Sequence, residues 1–185
     1  MLPRFTAFDA ANNEVPQEYG RVYEHEQFEQ FERLNVGAST NAIDLLRQLS
    51  GCLPAPYFCL YVLVVNREGE AQGRYQSPLL TTATELTDFV GEFAPLLTTD
   101  GRHHFWVGAT DNSGLLIYDR HNVVYAYGPL EVYKTTLASL DYHEQPFSFP
   151  VPHAHRYHAE NDEQVRQLLA HWDWQRFPLV PSDEE

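Results

Sequence analysis

The residues of this chain best suited to chemistry are histidines. The run Pro152-His153-Ala-His155-Arg-Tyr-His158-Ala-Glu160 sets three imidazoles and a carboxylate close together. In an extended segment side chains alternate, so His153 and His155 project from one face, and two neutral imidazoles so placed bind Zn²⁺ or Fe²⁺. His158 and Glu160 are the further candidate ligands. The same spelling also suits a proline-rich loop entering a helix, with the histidines and Tyr157 packing their rings at its surface. A second candidate is Asp119-Arg120-His121-Asn122, where Asp119 can fix the tautomer of a histidine base two residues on. Asp and Asn equally serve the backbone of a tight turn. The two candidates merge only if the fold brings His121 to His153 or His155, in which case a bound metal would lower the pKa of a water.

The spelling His-x-His-x4-Glu resembles the ligand run of the cupin family. It departs from that family at Phe147, where a glycine is expected, and no second cupin motif follows, so no cupin function is carried over. Other catalytic signatures are missing: the glycines never fall as Gly-x-Gly, and no Gly-x-Ser-x-Gly elbow exists. His103 and His104 are adjacent on a predicted strand and point to opposite faces. His25-Glu26-x-x-Glu29 lacks the second histidine of a zinc-protease helix and reads as a solvated acidic face. Cys52 and Cys59 cannot build a disulfide framework, and Cys59 reads as a small buried hydrophobe.

Trp106, Tyr118, Tyr125 and Tyr127 fall on a predicted strand meander. Ringed by carboxylates they would make a protein-binding surface, and packed inward they would make an aromatic core. Charge bears on the choice of partner. Lys and Arg number 12 against 26 Asp and Glu, a net charge of −14, with no basic cluster. Nucleic acid and anionic membranes are disfavoured, and a basic protein would be attracted. The stretch from His103 to Tyr127 is similar to the strand-turn-strand tail of a family of immunity domains, which implies capture of a basic partner. The leading expectation is therefore a non-catalytic, acidic, cytoplasmic protein-binding module of immunity or inhibitor type. The alternative is a small metal-dependent hydrolase or metal-binding protein built on His153, His155 and His158, holding zinc or iron. The longest apolar run, Tyr57 to Val65, is about half of the ~20 residues of a membrane-spanning helix. The opening residues Met1-Leu2-Pro3-Arg4 do not spell a secretory signal.

Apolar residues make up 43% of the 185, enough for a real core, and one α+β domain over 1–185 is expected. Residues 1–20 read as an arm held through Phe5 and Phe8. Residues 23–34 read as an acidic helix ended by Gly37, and a clearer helix follows with Asn41 as its cap. Strands are expected at 57–65, 73–79, 103–109, 115–119 and 123–127. Thr82-x-x-Glu85 opens a helix that Pro95 breaks, Pro129 opens another, and a last one starts at Asn161, capped with Gln164. The expected architecture is a sheet of about five mainly antiparallel strands with helices on one face.

Overall fold

The computed structural model describes residues 3–38 and 42–183, so the proposed cap Asn41 lies outside the described residues. The five expected strands are all present. They are β5 (Tyr57–Leu63), β6 (Gly73–Gln76), β7 (His103–Ala109), β8 (Leu115–Tyr118) and β9 (Val123–Tyr127), numbered to leave room for four that precede them. They form the centre of the main sheet in the order β9-β8-β7-β5-β6, all antiparallel.

The sheet is larger than the sequence reading allowed. Among the described residues it has nine strands and is mixed, in place of about five mainly antiparallel ones. Residues 23–34 account for much of the difference. They are no helix but parts of a hairpin, β3 (Val22–Gln27) and β4 (Glu32–Gly37), which adds to the edge at β9. Tyr23 and His25 alternate there with Glu24 and Glu26, a period of two that a strand can sort onto separate faces and a helix cannot. Phe28 and Phe31 stack on each other at 4.5 Å on the hairpin tip. The remaining edges are β10 (His143–Glu144), parallel to β3, and β12 (Gln175–Phe177), antiparallel to β6. Both are exposed and carry no apolar alternation to announce them.

The N-terminal segment contributes strands of its own. Its strands β1 (Phe5–Phe8) and β2 (Glu14–Pro16) join β11 (His153–His155) in a separate three-stranded antiparallel sheet, order β11-β1-β2. Arg4, Phe5 and Thr6 are fully buried in it.

Helices α1 (Ala42–Ser50), α2 (Ala83–Glu92), α3 (Ala94–Thr99), α4 (Leu130–Ser139) and α5 (Asp162–His171) bury their apolar residues in one cluster with a single face of the main sheet. Cross-strand register places Tyr61, Phe105, Tyr118, Val124 and Val36 side by side on that face. The Thr82 and Glu85 capping box forms as spelled. Pro95 sits in the first turn of α3, where its missing N–H costs nothing. Asn161 does not cap with its side chain; its Nδ2 donates instead to Thr99 Oγ1 and Asp100 Oδ2. The opposite face carries Leu60, Trp106, Ile117, Tyr125 and Asn35 in register, and Leu179 of the C-terminal segment packs over one end. No helix among the described residues is long and apolar enough to cross a membrane.

A buried polar network docks the small sheet onto the large one. Arg102, fully buried, donates to both oxygens of Asp100 at 2.8 Å, to Asp162 Oδ1 at 2.7 Å and to the His158 carbonyl at 2.9 Å. Beside it the Gly101 N–H donates to the Arg156 carbonyl, and the Arg156 N–H to the Arg4 carbonyl. These bonds fix where β1 and β11 lie against the start of β7.

Candidate metal centre

Pairing of β11 with β1 sets His155 opposite Phe5 and His153 opposite Ala7, so the two histidines share a face as alternation requires. A third imidazole reaches them from the turn between β8 and β9. Asn122 takes a left-handed φ of 63° there, and Asp119 Oδ1 accepts the N–H groups of His121 and Val123 at 2.9 and 3.0 Å. The second oxygen, Oδ2, lies 2.8 Å from His121 Nδ1. Asp119 thus shapes the turn with one oxygen and orients the histidine with the other.

These contacts decide which nitrogens are free. An ionised carboxylate only accepts, so His121 carries its proton on Nδ1 and keeps a lone pair on Nε2. The Pro150 carbonyl, 2.8 Å from His153 Nδ1, imposes the same tautomer on His153. His155 Nδ1 is buried with no hydrogen-bond partner. One ligand nitrogen from each of His121, His153 and His155 lies within 4.8 Å of the other two. Zinc–nitrogen bonds of about 2.0–2.1 Å in a tetrahedron need nitrogens about 3.3 Å apart, a gap that small side-chain rotations close. A carboxylate or carbonyl behind each ligating imidazole is the usual outer support of a metal site.

Phe5 forms the floor, its ring centre 5.4, 5.2 and 5.6 Å from those of His121, His153 and His155. Phe149 stacks on His121 at 4.6 Å. Burial, followed by the positive field of Arg120 and the neighbouring imidazoles, pushes the His155 pKa down to about 3. The ring is neutral at pH 7, the state in which an imidazole binds metal.

The other candidates fall elsewhere. His158 and Glu160 are outside the group of three; the His158 backbone joins the Arg102 network, and Glu160 is exposed on a short 3₁₀ turn. Trp106, Tyr125 and Tyr127 line a cleft of about 460 Å³ on the helix-free face, and His121, Asp119, Arg33 and Phe149 line it too. Tyr118 points the other way and is fully buried, with Arg4 stacked on its ring. His103 and His104 do face opposite sides, the first with its ring tilted against that of Tyr61 and the second bonded to the Asp183 carbonyl. Sequence reasoning gave Phe5 only the task of holding the N-terminal arm and passed over Phe149 and Pro150, for which no spacing signal exists. No family model matches the chain, and no curated protein or solved structure matches it either.

The close seating of β1 and β11 makes Gly101 a remote control of the site. A Cβ there would fall 2.6 Å from the Arg4 carbonyl oxygen, 3.2 Å from that of Arg156 and 3.3 Å from His155 Cβ. Backbone must shift to admit it, so Gly101→Ala is expected to lower stability by about 1–3 kcal/mol and to weaken zinc uptake although it touches no ligand nitrogen. Calorimetric titration of the variant checks this; unchanged zinc affinity would show that the docking does not govern the site.

Proposed function

We propose that this protein binds a divalent metal ion, zinc before iron, through His121, His153 and His155, and uses it for hydrolytic chemistry. The observation that carries the reading is the convergence of three imidazoles, two of them held by Asp119 and Pro150 in the tautomer that frees Nε2. An all-nitrogen set favours zinc, whereas non-haem iron commonly takes two histidines and a carboxylate. Three protein ligands leave a tetrahedral ion one open position, and a water bound there would have its pKa lowered to about 7. The cleft that His121 borders supplies a way in for a substrate.

Titration of metal-free, untagged protein with zinc should show one equivalent taken up. A hundredfold excess of zinc over its Kd stabilises the folded state by about 2.7 kcal/mol, a rise of several degrees in Tm. Absence of both heat and thermal shift would end the proposal.

A second reading, the acidic docking module for a basic protein, is favoured by a neighbouring hollow. Glu24 and Asn35 line it with Tyr125 and Phe149, beside the pair of Glu26 with Arg33, and Asn35 Oδ1 is buried without a partner. Such acceptors beside aromatic rings suit a lysine or arginine side chain. Binding of a lysine-rich peptide that weakens with added salt would support it, and no binding at low salt would remove it.

A further inference from the structure

We infer that the ion held by His121, His153 and His155 takes a small oxyanion as its outer ligand, one oxygen on the metal and another on the Arg120 guanidinium. This rests on the metal-binding reading above and names the class of substrate it would serve.

Arg120 is only 9% exposed. Its Nε has no hydrogen-bond partner, and its Nη2 donates to the Tyr157 hydroxyl at 3.2 Å. It makes no ion pair with a carboxylate among the described residues. The adjacent Asp119 is committed: both of its oxygens are taken by His121 and Val123. A guanidinium cannot shed its proton, so burying one whose neighbouring carboxylate spends both oxygens on other donors is costly.

Arg4 repeats the pattern nearby. It is fully buried, donates to the carbonyls of Leu97 and His103 at 2.6 and 2.5 Å, and lies 4.4 Å from the centre of the Tyr118 ring. Again no carboxylate among the described residues pairs with it. A divalent ion set beside two such cations leaves a strong positive excess with Asp119 as the carboxylate built into the ligand turn. In a region of low dielectric that excess is relieved by an anion.

Placement selects Arg120 for the contact. It precedes His121 in the ligand-bearing turn, and its partner Tyr157 follows His155 by two residues, so it bridges the two segments that supply the imidazoles. A guanidinium with a free Nε matches an anion that offers two oxygens. Phosphate esters and carboxylates share that feature.

Cobalt serves as a visible reporter in place of zinc. Protein loaded with Co²⁺ is titrated with inorganic phosphate and, separately, with acetate; chloride at matched ionic strength is the reference. The expected result is a saturable change in the cobalt absorption bands with at least one oxyanion and none with chloride. Arg120→Gln, loaded with cobalt and read against its own anion-free spectrum, should respond to the oxyanion at least about tenfold more weakly than the parent, the loss expected for one charge-assisted contact. Arg120→Lys, which keeps the cation but not the fork, should fall between the two and decides the matter if the glutamine variant does not fold. No response to either oxyanion in the parent protein, or an undiminished response in Arg120→Gln or Arg120→Lys, overturns the inference and leaves metal binding standing. Failure to take up cobalt at all removes the metal reading itself.

Discussion

Alanine in place of His121 is expected to abolish one-equivalent zinc uptake while the turn that carries it survives. The turn is held by Asp119 Oδ1 and by the left-handed backbone of Asn122, and the imidazole takes no part in either. Removing one of three ligands leaves two imidazoles, too few for a stable zinc site. Asp119→Asn is the finer test. Its side-chain oxygen still accepts from the His121 and Val123 N–H groups, but its amide can no longer both accept from His121 Nδ1 and supply negative charge. Loss of such an outer partner costs about 10–100-fold in metal affinity. Calorimetric titration at pH 7, with Tm followed in parallel, checks both variants. Equal zinc affinity in Asp119→Asn and the parent would show that Asp119 serves the turn alone.

The second large effect belongs to stability. Replacing Arg102 by methionine should cost about 3–5 kcal/mol in denaturant unfolding, the usual penalty for leaving a buried carboxylate, here Asp100, without its partner. Asp100 loses two bonds at 2.8 Å and is closed to water, while Asp162 loses one at 2.7 Å and keeps Arg67. Acid should act on the same network. Burial alone would raise the Asp162 pKa, but hydrogen bonds from Arg102 and Arg67 outweigh it and hold the group below its ordinary value of 3.8. A carboxyl depressed on folding contributes stability that is present above its unfolded pKa and is lost as pH falls through its folded pKa. The protein should therefore keep this contribution at neutral pH and lose it below about pH 4. A stability that is flat on acidification through that range would show the network to be electrostatically neutral.

How much of this could be read from the chain differs by element. The central strands announced themselves because Tyr57-Phe-Cys-Leu-Tyr-Val-Leu63 and its neighbours are apolar, β-branched and aromatic, and short turns forced them antiparallel. The helices facing them carried their own periodicity and, at Thr82, a reciprocal cap. The edges stayed hidden because edge strands such as β10 and β12 are held by backbone bonds to a partner, and backbone bonds leave no mark in the residue types. The hairpin at 22–37 was misread for a related reason: alternate glutamates look like a solvated helix unless the hairpin is seen that lets Arg33 bond Glu26 at 2.7 Å. For the site, His153 and His155 were visible as a pair and Asp119 with His121 as another. That the pairs meet depends on where β1 lands, and nothing near Phe5 in the sequence encodes its partner.

That dependence has a consequence for biosynthesis. Phe5 lies opposite His155, about 150 residues later in the chain. At translation rates of about 5–20 residues per second, the first of these strands leaves the ribosome roughly 7 to 30 seconds before the second exists. Throughout that interval the ring of Phe5, wholly enclosed in the finished molecule, lacks the two imidazoles of β11 that pack against it. The histidine centre thus cannot form until residue 155 has emerged, and a nascent chain stalled before residue 153 would lack two of its three imidazoles.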